Sequence, residues 1–139
     1  MGRTEVVHEG GMRFVGRGAS GHPITMDAAA TSGGSDQAAR PVEALLASLG
    51  GCTGMDVVSI LKKMKTPAES LRITVEDERA AEYPKVIERI HLVYQLEGRI
   101  PPENIERAIE LSLSKYCPIA NTLGGVTTIT SEYAVRASA

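Results

Sequence analysis

Two prolines, Pro41 and Pro67, bracket the stretch that most constrains this chain. Proline suits the first turn of a helix, where its missing N–H would have had no partner, and it cannot continue one. Between them Val42, Leu45, Leu46 and Leu49 recur at helical spacing. Beyond Cys52 the apolar set widens to Met55, Val57, Val58, Ile60, Leu61 and Met64. Apolar residues on most sides of a helix mean burial on most sides. Lys62, Lys63 and Lys65 suit the C-terminal end, where the helix dipole favours cations. The pattern predicts a long central helix that serves as the spine of the fold.

Inside that helix lies Ser48-Leu49-Gly50-Gly51-Cys52-Thr53-Gly54-Met55-Asp56. A glycine in a helix interior costs about 1 kcal/mol relative to alanine. Three of them around one cysteine predict that Cys52 is approached closely, by a substrate or by other backbone, as in close helix packing at a dimer interface. Asp56 is one turn beyond Cys52. A carboxylate beside a thiol opposes its ionisation, so Asp56 is expected to find an arginine or a backbone partner, or to point elsewhere, and is given no catalytic part.

The flanks read as strands. Arg3 to His8, Met12 to Gly16 and Pro23 to Asp27, separated by glycine turns, predict a β-meander. Thr31 to Asp36 is a loop with no lysine closing a glycine-rich turn, which excludes a phosphate loop. After the helix, Leu71, Ile73 and Val75 and then Ile90, Leu92, Tyr94 and Leu96 alternate with polar residues, as in an antiparallel hairpin. A second helix is expected from Pro101-Pro102-Glu103 to Tyr116-Cys117, a short third from Pro118 to Leu123, and a last strand from Thr127 to Arg136. Strands in groups rather than in strict alternation predict an α+β fold. The 139 residues suffice for one domain, 1–139, with one core.

A net charge of −2 argues against nucleic acid as a partner, since phosphate binding needs a basic surface. No apolar run is expected to span a membrane, and the N-terminus shows no apolar signal core; the expected location is the cytoplasm. There, Cys52 and Cys117, the two cysteines of the chain, are not expected to form a structural disulfide. Two thiols are too few for a structural zinc site without histidine, and His8, His22 and His91 lack metal-ligand spacing. No metal or other cofactor is expected. Cys117 precedes a helix start, where free N–H groups favour a thiolate. Cys52, inside the buried spine, would need a cation, for which Arg13, Arg17 and Arg40 are the candidates.

Two segments carry a resemblance. Pro41-Val42-Glu43-Ala44-Leu45-Leu46-Ala47-Ser48-Leu49-Gly50-Gly51-Cys52 resembles the first cysteine helix of the osmotically inducible protein C family, which includes the organic hydroperoxide resistance proteins. Tyr116-Cys117-Pro118-Ile119-Ala120-Asn121 resembles its second cysteine motif, at a similar separation. The resemblance implies an intertwined homodimer with sites at the subunit interface. It implies a peroxidase for organic hydroperoxides, with Cys52 as peroxidatic thiol, Cys117 as resolving thiol and a dithiol reductant, in one branch a lipoyl group. It also implies an arginine in the N-terminal hairpin and a glutamate paired with it.

These polar partners are displaced. In Gly10-Gly11-Met12-Arg13 the arginine stands one place beyond the family's Gly-Gly-Arg pattern, and Arg17 is the reserve. The family's glutamate position, ten before the first cysteine, is Val42; Glu43 lies one step closer. One helical position is about 100° of rotation. Glu43 is thus a candidate site residue and equally a residue that stabilises the helix N-terminus. The displacement motivates an alternative reading, a dimeric binding protein that keeps the fold without efficient peroxidase chemistry.

Overall fold

A computed structural model of the protein describes residues 1–137. They form two compact units, the first Met1–Leu46 and the second from Ala47 onward. The first holds the expected meander, β1 (Glu5–His8), β2 (Phe14–Arg17) and β3 (Pro23–Met26), paired antiparallel in that order. Strand β2 begins two residues later than expected. Arg13 therefore belongs to the turn before it, closed by the Glu9 N–H on the Arg13 carbonyl at 2.9 Å and the Arg13 N–H on the Gly10 carbonyl at 3.0 Å. The face-alternation of a strand does not govern where its side chain points. The loop after β3 carries a short 3-10 turn at Ala30–Ser32. It is held by Asp27, whose carboxylate accepts N–H groups from Ala28, Ser35 and Gln37.

Helix α1 runs Pro41–Lys63, as the bracketing prolines predicted. Its Glu43 side chain accepts the Arg40 N–H at 3.0 Å, one half of a capping box at the helix start. By length and composition α1 could cross a bilayer, contrary to the expectation that no run reaches that length. Its buried part is a single stripe: Leu45, Met55 and Val58 are exposed, where burial on most sides was expected. Leu49, Thr53, Val57 and Leu61, spaced by four, are each fully buried.

In the second unit, β4 (Ser70–Arg79) and β5 (Ile87–Glu97) form the expected antiparallel hairpin, with the central β5 burying Ile90, Leu92, Tyr94 and Leu96 on one face. Helix α2 (Pro102–Leu111) buries Ile105, Ala108 and Ile109. It does not continue regularly to Tyr116: Ser112–Tyr116 is a π-helical turn, closed by the Cys117 N–H on the Ser112 carbonyl at 2.8 Å. After α3 (Pro118–Leu123), β6 (Thr128–Arg136) returns parallel to β5. Parallel neighbours need such a helical crossover. The result is the α+β fold expected, with two three-stranded sheets.

The glycines of α1 separate by face. A Cβ added to Gly50 would sit 3.2 Å from Val75 Cγ2, and one on Gly54 3.1 Å from Ile73 Cδ1. Gly50 and Gly54 therefore let α1 approach β4 closely. Each is two positions from Cys52, about 160° around the helix, so neither makes room for the sulfur. A Cβ on Gly51 would meet nothing within 4 Å.

Candidate active site: an accessible thiol beside a buried one

Cys52 and Asp56 are one turn apart and share a flank of α1, beside the stripe of Thr53 and Val57. Cys117 is the N-cap of α3, placed there by the π-helical turn and by Pro118. The two sulfurs and a carboxylate oxygen of Asp56 all lie within 4.8 Å of one another. Both thiols are free. Cys52 is half-buried rather than sealed in the spine, and so is Asp56, while Cys117 is fully buried.

The helix-start effect expected at Cys117 is present but outweighed. Its sulfur accepts the Ala120 N–H at 3.4 Å, which favours the thiolate. Burial acts more strongly, and together with the neighbouring Cys52 it pushes the thiol up to about 11. Cys117 is thus a thiol held protonated at neutral pH, beside a more accessible one.

Asp56 lies beside both sulfurs. Its partner is neither an arginine nor backbone but a side chain, Ser112, whose hydroxyl donates to Asp56 Oδ2 at 2.8 Å. Ser112 is 2.7 Å from Thr53 Oγ1, which is 2.7 Å from the Tyr94 hydroxyl. Each hydroxyl has one hydrogen to give. Ser112 spends its own on Asp56, so it accepts from Thr53, and Thr53 accepts from Tyr94. The chain of donors runs Tyr94, Thr53, Ser112, Asp56, and its first three members are fully buried. Burial pushes the Tyr94 phenol up to about 12 despite the hydrogen bond with Thr53, which keeps it a donor. Sequence reading missed Thr53, Ser112 and Tyr94, since three hydroxyls on three separate elements carry no shared motif. Spacing placed Asp56 one turn from Cys52, and that was the available signal.

The other expected site residues belong to the N-terminal unit. Arg13 Nε is 3.4 Å from Glu9 Oε1, Arg17 ends β2 in an exposed position, and Glu43 caps α1.

Comparison with known proteins adds the following. The family described as OsmC-like protein matches residues 33–132. Protein YhfA of Escherichia coli (strain K12) is 38% identical over 129 residues, covering 92% of this chain and 93% of that protein. Among solved structures, a hypothetical protein from Aquifex aeolicus VF5 superposes with a TM-score of 0.87 at 27% identity, covering 100% of this chain and 98% of that one. An organic hydroperoxide resistance protein from Elizabethkingia anophelis shares the fold with a TM-score of 0.71 at 16% identity, covering 98% and 96%.

Proposed function

The chain belongs to the OsmC-like protein family, and we propose that it acts there as a thiol peroxidase reducing organic hydroperoxides. The observation that carries this reading is the pairing of an accessible Cys52 with a buried Cys117, their sulfurs within 4.8 Å. A fold shared with a protein named for organic hydroperoxide resistance supports it. Peroxidase chemistry asks for one thiol that meets substrate and a second that is kept from it until needed.

In this reading the Cys52 thiolate attacks the O–O bond. Its sulfur gives up two electrons and takes the terminal OH as a sulfenic acid, and the alkoxide leaves as alcohol after gaining a proton. The Cys117 thiol then condenses with the sulfenic acid, forming a disulfide and releasing water. A dithiol such as a lipoyl group restores both thiols by exchange and is itself oxidised. The proposed setting is a reducing cytoplasm. Arg13 and Glu43 remain proposals as site residues, and their present partners, Glu9 and the Arg40 N–H, give no support for the role.

The test is to mix reduced protein with cumene hydroperoxide and count free thiols. Both should disappear, Cys52→Ser should abolish turnover, and Cys117→Ser should stop at a sulfenic acid that dimedone labels. Survival of both thiols in excess peroxide would sink the proposal. Arg13→Ala and Glu43→Gln with unimpaired turnover would remove those two residues from the site.

One feature favours a second reading. Between α1 and β4 lies an apolar groove of about 830 Å³ whose lining includes Gly51, Met55, Val58, Ile73 and Val75. Met55 is 75% exposed, which suits an occupant, either the second copy of a homodimer or a small apolar ligand. Native mass spectrometry separates these. A ligand-bearing protein without peroxide turnover would establish the binding reading, and a ligand-free dimer with turnover would reject it.

A further inference from the structure

We infer that the reduced thiol pair, together with Asp56, forms a binding site for a divalent cation of the zinc class. This goes beyond the peroxidase reading and does not rest on it. The donor set is two cysteine sulfurs and one carboxylate oxygen, all within 4.8 Å of one another. In a tetrahedral zinc site, metal–sulfur bonds of about 2.3 Å and metal–oxygen bonds of about 2.0–2.2 Å put neighbouring donors roughly 3.5–3.8 Å apart. Each pair of donors needs to draw together by about 1.3 Å at most. Two thiolates select a borderline-soft ion over magnesium or calcium.

The supports of such a site are already in place. Cys52 and Asp56 project from one flank of a rigid helix. The Ser112 hydroxyl holds Asp56 by Oδ2, which leaves its other oxygen for an ion, and Ser112 is itself fixed by Thr53 and Tyr94. Metal-bound carboxylates are commonly oriented this way by outer hydrogen bonds. The Ala120 N–H lies 3.4 Å from the Cys117 sulfur and can donate to it once an ion has displaced its proton. Cys52 and Asp56 are only half-buried, so an ion can enter from solvent and water can take the fourth position. Binding transfers the two thiol protons to buffer and changes no oxidation state. The histidines judged necessary for zinc are not needed, because Asp56 supplies the third ligand.

The experiment is an anaerobic Co²⁺ titration of reduced, chelator-treated full-length protein. A thiolate-to-cobalt charge-transfer band should grow to saturation at one ion per chain, and Zn²⁺ should abolish it. Asp56→Asn keeps the side-chain shape and should weaken Co²⁺ binding at least about tenfold, as losing even an outer partner commonly does. Absence of the band, or unchanged affinity in Asp56→Asn, overturns the site. Should that variant not fold, Ser112→Ala leaves all three donors and is expected to bind Co²⁺ about 10–100-fold more weakly; equal affinity there overturns it too. Cobalt binding by a protein inert to peroxide would defeat only the peroxidase reading. Peroxide turnover without the band would defeat only this one.

Discussion

Ser112 and Asp56, 56 residues apart in sequence, meet in a 2.8 Å hydrogen bond that ties the π-helical turn to the central helix. The bond ends a chain of donors that begins on the sheet at Tyr94. Ser112→Ala should leave the buried Thr53 hydroxyl without its acceptor. The expected loss of stability is about 1–3 kcal/mol, and Tyr94→Phe should cost about 0.5–1.5 kcal/mol. Urea denaturation of both variants measures this. No loss in either would mean that the chain is not a stabilising unit.

The two thiols should separate in labelling. Cys117 is pushed up to about 11, chiefly by burial, so at pH 8 roughly one molecule in a thousand carries its thiolate. Peptide mapping after brief iodoacetamide treatment of reduced, metal-free protein should find Cys52 alkylated well before Cys117. Cys117 labelling should rise as pH is raised toward 11. Since Cys52 contributes to the upward push, Cys52→Ser should move that rise to lower pH. Equal labelling of both cysteines at pH 8 would contradict the burial described.

The three glycines of α1 should respond differently to alanine. At Gly51 a Cβ meets open space, so Gly51→Ala should stabilise by about 0.5–1 kcal/mol through helix propensity alone. At Gly50 and Gly54 the same gain is opposed by crowding against Val75 and Ile73. Thermal denaturation should rank Gly51→Ala as the most stable of the three variants.

Asp27 should make the N-terminal loop acid-sensitive. Backbone N–H groups, that of Ala28 foremost, hold its carboxyl below the usual carboxylate value. A depressed native pKa stabilises the fold above the unfolded value, near pH 4, and that stabilisation fades as pH falls through the native value. Asp27→Asn should therefore be less stable than the parent at pH 7, with the difference shrinking below about pH 4. A pH-independent difference would show that shape, rather than charge, is what the loop needs.

Much of the architecture was legible in the chain. Prolines at 41, 67, 102 and 118 mark helix boundaries because their chemistry is local. Alternation found β4 and β5 because one face of each is set against the core. The site was legible only as far as its cysteines. Cys52 and Cys117 stand in recognisable segments, whereas Ser112 and Thr53 look like any helical hydroxyl until tertiary structure sets them 2.7 Å apart. The balance at Cys117 was equally hidden, since a helix start is visible in sequence and the depth of burial is not. The glycines misled for the opposite reason. They neighbour Cys52 in sequence, and the helix turns Gly50 and Gly54 toward β4.

The π-helical turn at Ser112–Tyr116 has a consequence for how relatives should be aligned. Such turns hold one residue more than regular helix does. Removing that residue would restore ordinary winding and rotate whatever follows by about 100°, carrying the second sulfur away from the first. Chain length through 112–116 is therefore as diagnostic as the cysteine after it. Where a relative shows a one-residue gap there, conservation of Cys117 should be lost with it, and a surviving cysteine at that column would no longer report the same chemistry.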